Sequence, residues 1–404
     1  MAQGVWSECR LYCVRSSMSR SKRLCLIALL RTVEHALGSH SGLEATPLSE
    51  WPMLMTHDAA SGYLTNKLEP VAAWARTQPA SQTAFTQQLD CGARAFDLRA
   101  HVDKRGSLVF HHGDIEIHHS AELALAEVVA WANKHPAMED LVLIYSWDCT
   151  GADCTNTMAR ALAHAGVKVV ESCAALAQLT LGTAAELGGL AGGGQVLVVQ
   201  DCVDSAYNKS LTCSGFDGPS TTMLASPPRM PASCDNLTAD SSFEFQRACG
   251  LELRGEFAAL PLGRAPFLSG DSGVRGYYHC WQGNEGHLRD FPVSRLLDFL
   301  TRLAARAPQR DRLVELQALW QETPTSVAIG VAHLSSLLVD EERSGLNALM
   351  VQRVDAGDFK HINFFEVNNV CDQGPALLRA LRAHHFRKMR SKEEVAELVA
   401  EHTE

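Results

Sequence analysis

Short apolar runs alternate with longer amphipathic stretches from Trp51 onward, and this alternation predicts the fold class. Apolar runs predict eight strands, at 53–56, 95–99, 108–111, 141–146, 195–200, 276–280, 326–331 and 362–367. Amphipathic stretches predict helices at 121–134, 158–165, 292–305, 310–321 and 375–385. Strands that alternate with helices are typical of βα units around a parallel sheet.

Eight such units predict an α/β fold of the (β/α)8 TIM-barrel type, regular or irregular in its closure. The expected domain organisation has an N-terminal extension over 1–45 and a barrel over 46–385. A Cys-rich loop insertion at about 201–275 would interrupt the barrel, and a charged C-terminal helix over 386–404 would follow it. No internal repeat is visible.

Composition and charge exclude several classes of function. The 404 residues are 46% hydrophobic and 20% charged, with a formal net charge of −10. An acidic body of this kind is a poor nucleic-acid binder. No phosphate-binding Gly-x-x-x-x-Gly-Lys-Ser/Thr loop and no Gly-x-Ser-x-Gly elbow occur, which disfavours nucleotide binding and serine hydrolysis. No apolar run is long enough for an ordinary membrane-spanning helix.

The N-terminus and the cysteines bear on the compartment. Basic residues at 20–23 precede a short apolar run at 24–30, which is read either as a signal region or as a disordered leader. Four of the 13 cysteines, with two glycosylation sequons at Asn208 and Asn236, lie in one polar stretch and favour disulfides: Cys202, Cys213, Cys234 and Cys249. We therefore expect a secreted or extracellular protein, with a cytoplasmic or peripheral membrane location as the alternative.

Side chains able to do acid–base chemistry lie at the ends of four predicted strands. They are His57 and Asp58, Asp97 and Arg99, His111 and His112, and Glu366. Active sites of TIM barrels are built at the carboxyl ends of the strands. Two imidazoles and a guanidinium suit phosphodiester transfer, because one histidine removes a proton, the other donates one, and the arginine stabilises the phosphoryl charge.

Four segments in order resemble the X-domain of phosphatidylinositol-specific phospholipases C. They are Thr56-His57-Asp58, then Gly-Ala-Arg-Ala-Phe-Asp-Leu-Arg at 92–99, then His111-His112-Gly113, and His135-Pro136 with Glu139 before a strand. The matching region runs from about 51 to 147. The presence of Asp58 and Arg99 is more similar to the bacterial, metal-independent branch, because an arginine supplies the positive charge that calcium supplies elsewhere in the family.

The resemblance implies a role for each matching residue. His57 would be the general base that activates the inositol 2-hydroxyl, and His112 the general acid that protonates the diacylglycerol oxygen. Asp58 would orient His112, while Asp97 and Arg99 would lie beside the phosphate. Glu366 would partner His57, with Asp372 as the rival for this role.

The resemblance implies a phosphoric diester hydrolase that cleaves a phosphoinositide-type lipid at a membrane surface, releasing diacylglycerol and an inositol phosphate. We expect a monomer without cofactor or metal. The family's head-group lysine and arginine are absent, since Tyr145-Ser146-Trp147-Asp148 and Gln200-Asp201 stand in their places. The identity of the lipid head group therefore stays open. Two alternatives also stay open: a catalytically reduced binding module of the same fold, and a metal-dependent enzyme similar to glycerophosphodiesterases.

Overall fold

The computed structural model describes residues 42–64, 75–113, 115–146, 149–170, 173–200, 267–270, 313–320 and 336–401, with a few positions between 296 and 305. The strands predicted at 276–280 and 326–331 lie outside the described residues. So do nearly all of the Cys-rich insertion, including its four cysteines, and the N-terminal signal region. Leu43, which falls inside the predicted N-terminal extension, is buried.

The described strands belong to two sheets. In chain order they are β1 (Met53–Thr56), β2 (Ala95–Leu98), β3 (Ala100–Val102), β4 (Leu108–His112), β5 (Ile115–Ile117), β6 (Val142–Ser146), β7 (Lys168–Val170), β8 (Val196–Gln200), β9 (Phe267–Gly270), β10 (Leu313–Gln317) and β11 (Phe364–Val367). Eight of them form one sheet in the order β7-β8-β6-β2-β1-β11-β10-β9. Every described strand pair in that sheet is parallel.

The predicted α/β class with a parallel sheet is confirmed. The first and last sheet strands of the chain, β1 and β11, are neighbours, as a barrel requires, and Met53 to Thr56 pair in register with Phe364 to Val367. Strands β7 and β9 stand at the two ends of the described sheet. Closure of the barrel between them stays a prediction, because the segment 201–266 that precedes β9 lies outside the described residues.

The prediction that 108–111 is the third barrel strand is wrong. This segment, β4, pairs antiparallel with β3 and β5 in a separate three-stranded sheet. Only residues 103–107 connect β3 to β4. A parallel crossover needs a dozen residues or more, whereas so short a connection can only form a hairpin. The turn is closed by Asp103, whose Oδ1 accepts hydrogen bonds from the backbone N–H groups of Arg105 and Ser107.

The helix predicted at 310–321 is also wrong, because this segment contains strand β10. Its Leu-Val-Glu-Leu-Gln sequence has apolar residues at helical spacing, yet Glu315 and Leu316 are both buried between neighbouring strands. Burial in a sheet overrides the local helical preference of such a sequence. Strands β7 and β9 are further elements that the hydrophobic pattern did not predict.

Helices follow most of the strands. Those described are α1 (Ala84–Asp90), α2 (Ala121–Lys134), α3 (Cys154–His164), α4 (Cys173–Ala177), α5 (Leu181–Leu187), α6 (Leu337–Ser344), α7 (Leu346–Ala356) and α8 (Gly374–Glu401). Helix α2 begins at an N-cap, Ser120, whose side chain accepts a hydrogen bond from the backbone of Leu123. Helix α8 is continuous through the boundary expected at 386. In the part of the chain that is described, no helix has the length and apolar character needed to span a bilayer.

The two faces of the parallel sheet have different cores. Side chains of alternate residues, such as Leu54 and Phe96, pack against the surrounding helices. On the other face the amino-terminal half of the strands is apolar, as at Met53 and Leu143. Towards the carboxyl ends of the strands this second face becomes charged, and its buried acids are Asp97, Glu315 and Glu366. The charged end of the sheet is where the candidate site lies.

Two disulfides are present among the described residues. Cys149–Cys154 precedes and enters helix α3, with a Cα–Cα distance of 5.7 Å. Four residues separate these cysteines, a spacing that does not match the CxxC pair of a zinc site and favours a disulfide. Cys91–Cys371 was not predicted, since 280 residues separate its cysteines. It joins the turn after α1 to the loop after β11. There Gly374 lies so close to Cys91 that an added Cβ would collide with the Cys91 carbonyl oxygen.

Candidate active site

Five of the predicted site residues converge at the carboxyl ends of the central strands. His57 and Asp58 follow β1, Asp97 and Arg99 lie at the end of β2, and His112 ends the hairpin strand β4. The hairpin brings His112 back over the sheet, so its convergence has a different cause from the expected third barrel strand. His57, Asp58, Asp97 and His112 are buried.

Asp58 is the centre of the site. Its Oδ2 lies 2.9 Å from Nε2 of His112 and 3.3 Å from Nε2 of His57, while its Oδ1 lies 2.7 Å from Nε of Arg99. The backbone at Asp58 is in the left-handed region, with φ 43°, which is uncommon for a residue other than glycine. Its backbone N–H donates to Oδ2 of Asp97 at 3.0 Å, which holds this conformation.

Arg99 joins the two carboxylates. Its Nε contacts Asp58, and its Nη2 lies 3.0 Å from Oδ2 of Asp97. Burial opposes ionisation of Asp58, but the charge of Arg99, followed by those of His112 and His57, outweighs it and holds the pKa of Asp58 well below its usual range. Asp58 is therefore a carboxylate throughout the physiological pH range, and the site holds fixed negative and positive charges side by side.

His112 has hydrogen-bond acceptors at both ring nitrogens. Its Nδ1 lies 2.8 Å from the backbone carbonyl oxygen of Ala75, and its Nε2 lies 2.9 Å from Asp58. A carbonyl oxygen and a carboxylate can only accept, so a doubly protonated imidazolium would satisfy both contacts together. The expected contact between Asp58 and His112 is present, and it suits a histidine that donates a proton.

His57 differs from His112 in that Arg99 also lies near its Nε2. Its Nδ1 lies 2.9 Å from Oδ1 of Asn368, while Nη2 of Arg99 lies at the long distance of 3.5 Å from its Nε2. Because the amide oxygen of Asn368 can only accept, Nδ1 carries a proton. Nε2 lies between Arg99, which can only donate, and the Asp58 carboxylate at 3.3 Å, so it is unprotonated in the neutral ring and protonated in the imidazolium. A neutral imidazole with an unprotonated Nε2 can take a proton from a hydroxyl group.

The partner expected for His57 is wrong. Neither Glu366 nor Asp372 contacts the His57 ring in the structure, and Asn368 occupies Nδ1 instead. Glu366 on β11 lies on the same face of the sheet as Glu315 of the neighbouring strand β10, and the two carboxyl groups are hydrogen-bonded. Burial, and then the charge of Glu315, raises the pKa of Glu366 well above its usual value. Asp372 lies in the loop after β11, where its backbone N–H donates to the Asn369 carbonyl oxygen.

A segment before α1 supports His57, and sequence analysis missed it. Thr77 donates from Oγ1 to the His57 carbonyl oxygen at 2.6 Å. Gln78 donates from Nε2 to the carbonyl oxygens of His57 and Val367, and its Oε1 accepts from the backbone of Val370. Through these hydrogen bonds Gln78 connects the end of β1 to the end of β11. No motif marks Thr77 or Gln78 in the sequence, because their role depends on contacts with the distant strand β11.

His111 is directed away from this group, as strand alternation predicts. Its Nδ1 lies 3.0 Å from the Gly113 carbonyl oxygen, and its ring lies 6.0 Å from that of His101. His112 has neither contact. His111 is therefore a structural residue of the hairpin, and His112 alone reaches the site.

Three residues of the site also have the atoms for a metal ion. His57, Asp58 and Asp97 each offer one ligand atom, and these atoms lie within 4.8 Å of one another. The guanidinium of Arg99, however, already lies directly against both carboxylates. A cation placed between them would meet the charge of Arg99, so the donor set fits a bound guanidinium better than a metal ion.

Comparisons with known proteins give fold-level similarity. No protein-family model matches the chain, and no curated protein matches it either. Among solved structures, the chain is similar to phosphatidylinositol-specific phospholipases C of two bacteria. A Staphylococcus aureus structure has 13% sequence identity and a TM-score of 0.47, with 83% of this chain and 93% of that chain covered. The Listeria monocytogenes structure has 13% identity and a TM-score of 0.44, with 84% and 94% covered. Both carry the name of the group that the sequence motifs resemble.

Proposed function

We propose that this protein is a phosphoric diester hydrolase of the phospholipase C type, acting on a phosphoinositide-type lipid at a membrane surface. The observation that carries the proposal is a pair of neighbouring histidines whose Nε2 atoms both face the Asp58 carboxylate. With its Nδ1 proton directed at Asn368, neutral His57 has an unprotonated Nε2, and Nε2 of the protonated His112 faces Asp58. The two ring centroids are 6.3 Å apart. A base and an acid at this separation can act on the two sides of one phosphate.

In the proposed reaction, a hydroxyl group of the head group attacks the adjacent phosphorus. His57 Nε2 takes the hydroxyl proton as the new P–O bond forms. The bond from phosphorus to the diacylglycerol oxygen breaks, and His112 Nε2 gives its proton to that oxygen. The products are a cyclic phosphate and free diacylglycerol. The site ends with His57 protonated and His112 neutral, and attack by water with the reversed proton transfers opens the cyclic phosphate to an inositol phosphate.

The charges around the two histidines support these roles. The Asp58 carboxylate lies near Nε2 of both rings, so it stabilises the proton on His112 before reaction and the proton on His57 after it. Arg99 lies between the carboxylates at the same end of the sheet, and a guanidinium there can stabilise charge on the phosphoryl oxygens. No metal or cofactor is part of this proposal.

The experiment is a product analysis with a panel of lipids. The protein is incubated with phosphatidylinositol, glycosylated phosphatidylinositol anchors and phosphatidylcholine vesicles, each with and without a strong chelator. We expect a cyclic inositol phosphate and diacylglycerol from an inositol lipid, at the same rate with chelator. Activity that disappears with chelator and returns with a divalent cation would support the metal-dependent alternative. Binding to vesicles without any product would support the binding module.

A further inference from the structure

A chain of buried polar groups leads from the Nδ1 side of His57 to helix α6. Asn368, which accepts from His57, donates from Nδ2 to the Trp320 carbonyl oxygen at 3.2 Å and to Oε1 of Glu341 at 2.9 Å. The backbone N–H of Trp320 donates to the same Oε1 at 3.0 Å. Glu341 and Asn368 are fully buried. Glu341 is thus connected to the proposed base through one side chain.

These hydrogen bonds determine which way the Asn368 carboxamide faces. The oxygen and nitrogen of an amide are distinguished by their hydrogen-bond partners. The Trp320 carbonyl can only accept, so the atom near it is the amide nitrogen, and the amide oxygen faces His57. An Asn368 rotated by half a turn would present its NH2 group to His57. The His57 proton would then move to Nε2, and the base would be lost.

In this hydrogen-bonded group Glu341 is a protonated, neutral carboxyl. Burial, together with the nearby acids Asp340 and Asp372, raises the pKa of Glu341 to about 8, although hydrogen bonds from Trp320 and Asn368 oppose the shift. Oε1 accepts two hydrogen bonds, so the carboxyl proton lies on Oε2, which has no hydrogen-bond partner among the described residues. At neutral pH the contribution of Glu341 is therefore its geometry.

We propose that Glu341 is a positioning residue: its Oε1 holds the Asn368 amide oxygen towards His57, which keeps the His57 proton on Nδ1 and leaves Nε2 as the base. The catalytic consequence rests on the proposed function. The tautomer of His57 does not, because it is a property of the free protein.

The tautomer is measured by NMR of protein labelled with 15N in the imidazole rings of its 17 histidines. The His57 signals are identified by their loss in His57→Gln. We expect Nδ1 protonated and Nε2 unprotonated in the unmodified protein and in Glu341→Gln, whose amide oxygen can accept the same two hydrogen bonds. Glu341→Met lacks this acceptor and should show both tautomers. Ser344→Ala is the matched control, since Ser344 lies on α6 and accepts from the Trp320 ring without touching Asn368.

Two outcomes overturn the proposal. One is an unmodified protein with the proton on Nε2 of His57, which needs no variant. The other is a folded Glu341→Met variant in which His57 keeps a single Nδ1 proton. If Glu341→Met does not fold, Glu341→Asp makes the same comparison, because its carboxyl is one methylene too short to hold both partners and should also give mixed tautomers.

Steady-state kinetics of the variants test the role of Glu341 independently of the NMR spectra. On the lipid that the protein cleaves, Glu341→Met should lower kcat on the order of 10-fold, because part of the general-base contribution is lost. KM should change little, and both Glu341→Gln and Ser344→Ala should keep kcat. If no lipid is cleaved by the unmodified protein, the proposed function fails, while the NMR spectra still decide whether Glu341 sets the His57 tautomer.

Discussion

Nε2 of His112 lies 2.9 Å from Oδ2 of Asp58, and the same carboxylate oxygen lies 3.3 Å from Nε2 of His57. One carboxylate is therefore shared by the proposed acid and the proposed base. The hydrogen bond from His112 Nδ1 to the Ala75 carbonyl leaves only the Nε2 proton available for transfer to a leaving group. The two histidines differ at Nε2, since Nη2 of Arg99 lies 3.5 Å from Nε2 of His57, and Asp58 couples them.

Asp58→Asn should remove activity and weaken the fold in a pH-dependent way. The variant loses the charge shared by both histidines, so kcat/KM should fall by about 10²-fold or more. Because the folded pKa of Asp58 is lowered, the carboxylate stabilises the protein above its unfolded pKa and this contribution is lost as the pH falls through the folded pKa. Urea unfolding should therefore show a larger loss of stability in the variant at pH 7 than at pH 3. An equal loss at both would contradict the assignment of a buried carboxylate.

Arg99→Lys should be severe although the charge is kept. An ammonium group cannot contact Asp58 and Asp97 in the planar geometry of a guanidinium and also reach a phosphate. We expect kcat/KM to fall by about 10²-fold. Arg94→Lys is the matched control, because Arg94 contacts Asp140 at 2.7 Å from the other end of strand β2. That variant should keep its activity, and similar losses in both would mean that Arg99 has only a structural role.

Glu341 should make the protein less stable as the pH rises from about 5 to 8. Its pKa is 4.5 as a reference and about 8 in the folded protein, so in this window the folded state holds a proton that the unfolded state has lost. Glu341 then lowers the free energy of unfolding by about 1.4 kcal/mol per pH unit at most. Glu341→Gln removes this dependence. Its stability relative to the unmodified protein should increase from pH 5.5 to pH 7.5 in urea unfolding, and a constant difference would contradict the shifted pKa.

The disulfide Cys91–Cys371 should stabilise the segment that carries Asn368. It closes a loop of 280 residues between the start of β2 and the end of β11. Loss of a native disulfide costs about 2–5 kcal/mol. Cys371→Ser should therefore lower the unfolding temperature while leaving the His57 tautomer unchanged at 25 °C. Non-reducing peptide mapping checks the pairing directly, and a free thiol at Cys91 in the oxidised protein would contradict it.

The hydrophobic pattern predicted the central strands well, because strands β1, β2, β6, β8 and β11 are short apolar runs buried on both faces. It failed at β10, where Glu315 and Gln317 interrupt the run and give it a helical spacing. It also failed to recognise the hairpin. Only residues 100–107 separate the strands predicted at 95–99 and 108–111, which is too short for a parallel crossover, so this signal was present in the sequence.

The site was predicted only where it is local in sequence. His57 and Asp58, Asp97 and Arg99, and His112 lie within short segments that resemble a known family. Asn368 and Glu341 carry no such signal, because an amide and a buried acid acquire their roles from partners brought together by the fold. The contact between His57 and Asn368 spans 311 positions. The expected acid at Glu366 lies two residues away on the same segment.

The most direct test of the account is the leaving-group dependence of His57→Ala and His112→Ala. Each variant is assayed on the lipid substrate and on an inositol phosphodiester with an aryl leaving group of low pKa. Loss of the base should abolish cleavage of both substrates. Loss of the acid should lower cleavage of the lipid by about 10²-fold or more but affect the aryl substrate much less, because an aryl oxide departs without protonation. Equal losses of both variants on the aryl substrate would contradict the assigned roles of base and acid.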